Sequence, residues 1–176
     1  MSVARQLSAF VTIVAIVLLA GCAARRPDGG SGLLPVGTPA PDFAARSETG
    51  AVVHLSDSSG SPRVVYFYPK DETPGCTKEA CAFRDAYEKY RARGVVVFGV
   101  SRDSEQSHEA FRKHHSLPFP LVADESGAVQ KAYGVPSRLG HAARVSFLVG
   151  RTGLVEQVFR DVDPVTHPAD VLESIK

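Results

Sequence analysis

Two cysteines five positions apart, Cys76 and Cys81, are the side chains of this sequence best suited to chemistry. Cys76 ends the run Pro69-Lys-Asp-Glu-Thr73-Pro-Gly-Cys76, which follows an apolar stretch and precedes a helical pattern. A sulfur there lies at or near a helix N-terminus, where unpaired N–H groups and the positive end of the dipole favour an anion. The anion of a thiol is its nucleophilic form. Pro74-Gly75 sets a tight approach of backbone to sulfur. The Thr73 hydroxyl, three residues before the sulfur, can accept from the backbone and position a substrate oxygen. The bland alternative makes Cys76 a small buried hydrophobe and Thr73 a plain cap. A cysteine placed after a strand, after Thr-Pro-Gly and at a helix start favours the reactive reading. Cys81 falls inside the helix, beside Ala80. Metal binding by the pair is disfavoured, because four intervening residues on a helix make an awkward chelate and no Cys/His cluster at zinc spacing accompanies it.

These side chains need a scaffold. Val64-Val-Tyr-Phe-Tyr68 and Val95-Val-Val-Phe-Gly-Val100 are continuous apolar runs, as expected of strands buried on both faces. Val52 to Leu55 and Leu121 to Ala123 read as shorter strands. Between the long runs, Thr77 to Arg93 reads as a helix with Ala80, Phe83, Tyr87 and Tyr90 on one face, closed by Gly94. Asp103 with Gln106 resembles a capping box opening a polar helix to His115. Its histidines, His108, His114 and His115, are expected at the surface. A short helix from Gly127 to Tyr133 follows. Val145–Val149 and Leu154–Phe159 flank Gly150-Arg-Thr-Gly153 as a hairpin, and Pro168 to Lys176 is a terminal helix. Strands alternating with helices and then a hairpin predict an α/β fold, a mixed central sheet with helices on both faces. Ligands in such sheets bind beyond the carboxyl ends of strands, which directs attention to the loop after Tyr68.

Composition sets outer limits. The chain has 176 residues, enough for one ordinary domain, with three cysteines, too few for a disulfide-dense scaffold. Lys plus Arg is 20 and Asp plus Glu is 19, so no basic nucleic-acid face is announced and no nucleic-acid partner is expected. Residues 1–21 carry a single charge, Arg5, ahead of an apolar run from Phe10 to Ala20 that is shorter than a membrane span. Leu19-Ala20-Gly21-Cys22 at its end resembles a bacterial lipoprotein box, in which the cysteine is lipidated and becomes the first mature residue. The expected organisation is a signal peptide at 1–21, a flexible Gly/Ser-bearing tether at 22–36 and one domain at 37–176. The expected location is the bacterial cell envelope, with Cys22 anchored in a membrane.

The stretch Tyr68-Pro-Lys-Asp-Glu-Thr73-Pro-Gly-Cys76-Thr-Lys-Glu-Ala-Cys81 resembles the peroxiredoxin signature Pro-x-x-x-Thr-x-x-Cys, and in detail the peroxiredoxin Q group. Phe83-Arg84-Asp85, Gly99-Val-Ser101, Asp124, Ala132-Tyr-Gly-Val135 and Arg144-Val-Ser-Phe-Leu148 agree with that group, so the likeness runs from about Gly37 to the C-terminus. The leader is not part of the usual pattern. The resemblance implies a thioredoxin-like fold and a thiol-dependent peroxidase. It makes Cys76 the peroxidatic cysteine and Cys81 the resolving one. Thr73 would bind the peroxide, Pro69 would shield the sulfur, and Arg144 would complete the site. No cofactor and no metal are implied. The resemblance implies peroxide as substrate and a thioredoxin-like or other dithiol as reductant, and the protein is expected to be a monomer. Physically, an arginine at the start of a strand can bring a permanent cation to the sulfur and polarise the peroxide. Glu79, one turn after Cys76, is expected to be a solvated first-turn acid.

Two rival functions share a tethered thioredoxin-like body. A thiol–disulfide oxidoreductase relies on Cys-x-x-Cys, and a copper chaperone of the Sco type on Cys-x-x-x-Cys with a distant histidine. The spacing here fits neither. One geometric consequence follows if Cys76 and Cys81 pair. Five residues of regular helix separate them by roughly 7.5 Å of rise and about 140° of rotation, placing their Cα atoms roughly 8.7 Å apart. A disulfide requires about 7 Å or less, so the first turns of the helix must unwind before the bond can close.

Overall fold

The computed structural model describes residues 25–176; the leader and Cys22 lie outside the described residues. The chain runs β1 (Ala44–Arg46), β2 (Val52–His54), a 3₁₀ turn (Leu55–Ser58), β3 (Arg63–Phe67), α1 (Pro74–Ala92), β4 (Val96–Ser101) and α2 (Glu105–His115). It continues with β5 (Leu121–Ala123), α3 (Ala128–Ala132), β6 (Ser137–Arg138), β7 (His141–Ala142), β8 (Val145–Val149), β9 (Val155–Arg160) and α4 (His167–Ser174). The central sheet has the order β5-β4-β3-β8-β9. β3, β4 and β5 are parallel, while β8 runs antiparallel to both β3 and β9.

β3 lies at the middle of this sheet, and its side chains alternate between the two faces as a strand requires. Val64 and Tyr66, with Tyr68 just beyond, enter a core containing Phe83 and Tyr90 of α1, Phe111 of α2 and Val171 of α4. Val65 and Phe67 enter the opposite core, with Phe98, Phe147, Val129 of α3, Tyr133 and the N-terminal Leu34 and Phe43. Helices therefore cover both faces, as the alternating pattern predicts. A run apolar at every position is the one type that can stand between two dry layers.

Three local expectations are corrected. α1 begins at Pro74 rather than Thr77, because proline's fixed φ suits the first helical position and its missing N–H costs nothing there. Cys76 is thus the third residue of the helix. The cap of α2 is Ser104, whose Oγ accepts from Ser107 N at 3.3 Å, and not Asp103. Asp103 is instead occupied by Ser101 Oγ at 2.6 Å and by the Asp71 backbone N–H at 2.9 Å. Finally, the described part of the expected tether is folded onto the domain. Arg26 is buried, donating to the Gly32 carbonyl at 2.9 Å, and Leu34 is core, its N–H donating to Tyr133 O at 3.0 Å. The glycines there close a turn around the guanidinium instead of providing slack.

Candidate active site

Sheet register brings the chemistry together. Phe67 pairs with Val145, so Arg144, one residue outside the pair, comes level with Tyr68 where the chain leaves β3 for the loop to α1. From there Arg144 Nη2 donates to Cys76 Sγ at 3.4 Å. Cys76 is only 2% exposed and sits in the first turn of α1, where backbone N–H groups lack intrahelical acceptors. Gly75 makes the approach possible. A Cβ at that position would stand 3.2 Å from Arg144 Nη2.

The other end of the guanidinium is held by Glu79, which pairs with Nη1 through Oε2. Glu79 is fully buried, against the expectation of a solvated acid. It lies three residues after Cys76, one helical turn along the same inward face, and that spacing was the available signal. Burial drives its carboxyl up to about 7, with the Arg144 charge and hydrogen bond pulling the other way. Among the described residues, its Oε1 has no hydrogen-bond partner. The site therefore contains a sulfur, a permanent cation and a carboxyl that changes charge near neutrality.

Thr73 is the N-cap residue of α1, but its Oγ1 donates to the Lys70 carbonyl at 2.9 Å and makes no cap bond. That bond folds the loop over itself and leaves the hydroxyl oxygen's lone pairs available. Pro69 and Arg144 share a cleft of about 650 Å³ with Leu139, Ala142 and Val145. Cys81 is half-buried within α1, and neither cysteine is in a disulfide.

A buried network anchors the loop. Asp71 accepts from Tyr68 Oη at 2.8 Å through Oδ1 and from Ser107 Oγ at 2.7 Å through Oδ2. His108 Nδ1 lies 2.8 Å from the same Oδ2, and Nε2 lies 3.2 Å from Val122 O. Both ring nitrogens thus face oxygen partners. His108 is completely buried, which corrects its expected surface position. The helical period contained the signal, since His108 stands three residues before Phe111, a buried apolar residue of α2.

A parallel β3–β4–β5 set, an antiparallel β8–β9 pair and helices on both faces define a thioredoxin-like fold, with a buried cysteine at the start of α1 beside an arginine. Residues 36–158 match the AhpC/TSA family. Peroxiredoxin Q of Sedum lineare is 44% identical over 143 residues, spanning 80% of this chain and 77% of the relative. Among solved structures, peroxiredoxin Q of Xanthomonas campestris is similar with a TM-score of 0.74 at 33% identity, covering 81% of this chain and 96% of that one. A peroxidoxin of Mycobacterium tuberculosis gives 0.75 at 29% identity, covering 81% and 99%. The chain belongs to the AhpC/TSA family, and it is a thiol-dependent peroxidase. These relatives support neither the tethered thiol–disulfide oxidoreductase nor the copper chaperone.

Proposed function

We propose that this thiol-dependent peroxidase attacks peroxides through Cys76 and resolves the product through Cys81. The carrying observation is the buried Cys76 sulfur at the start of α1 with Arg144 Nη2 at 3.4 Å. The Cys76 thiolate attacks one peroxide oxygen and the O–O bond breaks. The departing alkoxide or hydroxide takes a proton, and the sulfur, oxidised by two electrons, becomes a sulfenic acid. Arg144 offsets the anionic charge that moves from sulfur to oxygen. Thr73 positions the peroxide, and Pro69 keeps water from the sulfur. The cleft beside Pro69 and Arg144 offers apolar walls to the organic part of a hydroperoxide. Cys81 then condenses with the sulfenic acid, releasing water, and an external dithiol reduces the resulting disulfide by exchange.

Stopped-flow peroxide consumption tests the assignment. Cys76→Ser abolishes the fast step. Cys81→Ser retains one turnover and leaves a trappable sulfenic acid on Cys76. A Cys81→Ser protein no faster than Cys76→Ser would overturn the roles. For the leader we propose a lipid anchor on Cys22, supported by the Leu19-Ala20-Gly21-Cys22 box behind its apolar run. A fatty-acid probe should label wild type and not Cys22→Ala, and an unlabelled wild type with an intact N-terminus would rule the anchor out.

A further inference from the structure

Three ligand-bearing side chains converge on the rim of the active-site loop, outside the peroxide chemistry. Glu72 reaches across to the end of α2. There His114 Nδ1 stands 3.0 Å from one carboxylate oxygen and His115 Nε2 stands 3.1 Å from the other. One ligand atom from each residue lies within 4.8 Å of the other two. The backbone on both sides is shaped for this meeting. Glu72 has a left-handed φ of 59°, and Ser116, immediately after His115, has 53° and ends α2. His115 is partly fixed. Its ring packs edge-on against Phe111 at 5.0 Å, and its carbonyl accepts from Arg84 Nη1 at 2.9 Å. His114 is exposed, and its ring lies 4.3 Å from that of His115.

Two imidazoles and one carboxylate match the ligand preferences of Zn²⁺ and of Co²⁺, Ni²⁺ and Cu²⁺ beside it. Three protein ligands leave a fourth position for water. Tetrahedral zinc with bonds of about 2.0–2.1 Å needs ligand atoms roughly 3.3 Å apart, so the widest pair here closes by no more than about 1.5 Å. We propose that Glu72, His114 and His115 bind a divalent transition-metal ion of the Zn²⁺ class, which fastens the active-site loop to the end of α2. In the metal-free state the two nitrogens donate to the carboxylate. On binding they offer lone pairs instead, and their protons pass to the other ring nitrogens or to water. Glu72 stands two residues before the start of α1, so the ion restrains the turns that must open before Cys76 and Cys81 can join. The metal site stands on this geometry alone, whereas its effect on the Cys76–Cys81 step rests on the roles proposed above.

The test uses the full chain with all thiols removed, Cys22→Ser/Cys76→Ser/Cys81→Ser, so that sulfur cannot compete for the ion. Titration with Co²⁺, followed by its d–d absorption, should show one ion per chain, displaced by Zn²⁺. Adding His114→Ala or Glu72→Gln should weaken Co²⁺ binding by roughly tenfold or more. The His114 side chain is 68% exposed, so its removal leaves the core intact, which circular dichroism checks. Zn²⁺ should slow backbone hydrogen exchange across residues 72–80 in the thiol-free chain, and not in the same chain with His114→Ala. Co²⁺ affinity unaltered by both His114→Ala and His115→Ala would overturn the site. Zn²⁺ bound with no change in exchange would overturn its fastening role.

Discussion

Replacing Arg144 by alanine should produce two separable effects, one on rate and one on stability. The first acts on sulfur. A hydrogen bond to a charged group contributes about 1.5–3 kcal/mol, and about 1.36 kcal/mol is a factor of ten in rate. Loss of the 3.4 Å contact to Cys76 Sγ should therefore slow the second-order reaction with peroxide roughly 10- to 150-fold. Arg144→Lys should recover part of this, because a point charge cannot hold both Sγ and Glu79 as the planar fork does. The second effect acts through Glu79, raised from an ordinary 4.5 to about 7 by burial against the pull of Arg144. A carboxyl raised in the folded state contributes its full stability below the unfolded value. That stability is lost as pH climbs to about 7, a span worth about 3 kcal/mol. Without Arg144 the folded-state carboxyl stays protonated to still higher pH, so the loss continues. The variant's stability deficit should be small at pH 6 and widen above pH 7 by up to about 1.4 kcal/mol per pH unit. Urea unfolding at pH 6, 7, 8 and 9 reads this directly, and adding Glu79→Gln should flatten the trend. An unchanged rate would place the guanidinium outside the chemistry. A deficit equal at pH 6 and pH 9 would show that Glu79 is not the titrating group.

Other consequences are as open to measurement. Because both cysteines lie in α1, backbone exchange across Thr77 to Arg84 should be faster in the Cys76–Cys81 disulfide form than in the reduced form. Equal protection, with the bond mapped by mass spectrometry, would remove the need for unwinding. His108→Ala takes one of three side-chain hydrogen-bond partners from the buried Asp71 and should cost about 1–3 kcal/mol by chemical denaturation, part of it returned in the double variant with Asp71→Asn. A cost near zero would make the network ornamental to stability. Gly99→Ala should destabilise by about 1–3 kcal/mol, since the added Cβ would stand 2.7 Å from Tyr66 Oη and 2.8 Å from Leu121 Cδ2. A thermal midpoint equal to wild type would show that β4 can shift to make room.

What the sequence made legible was whatever repeats at a fixed period or stands in a contiguous motif. The runs of β3 and β4 declared themselves as doubly buried strands, and Thr73-Pro-Gly-Cys76 declared a helix start with a thiol in it. Partners far apart in the chain were harder to read. Glu79 seemed solvated because a first-turn acid is usually favourable to the dipole, and only tertiary packing encloses it with Arg144. His108 seemed exposed because α2 is mostly polar, yet one inward histidine can be satisfied by Asp71, a residue of a different loop. The segment around Arg26 looked slack because glycine-rich composition describes the free chain and carries no information about carbonyls gathered around a guanidinium. For Glu79 and His108 the helical period marks an inward position, but the partner that makes burial tolerable stands on another segment and leaves no trace in that period.

The pairing of β3 with β8 also orders events in time. Cys76 and Arg144 are 68 residues apart, and they meet only through that antiparallel register. During synthesis the cysteine emerges early and the arginine late, with β4, α2 and β5 between them. A nascent chain thus displays a thiol without its cation, in a helix that has no finished sheet to lean on. The guanidinium reaches that sulfur only once β8 docks. Under the role proposed for Cys76, the cation therefore arrives only with β8, and an unfinished or misregistered molecule carries the sulfur without it.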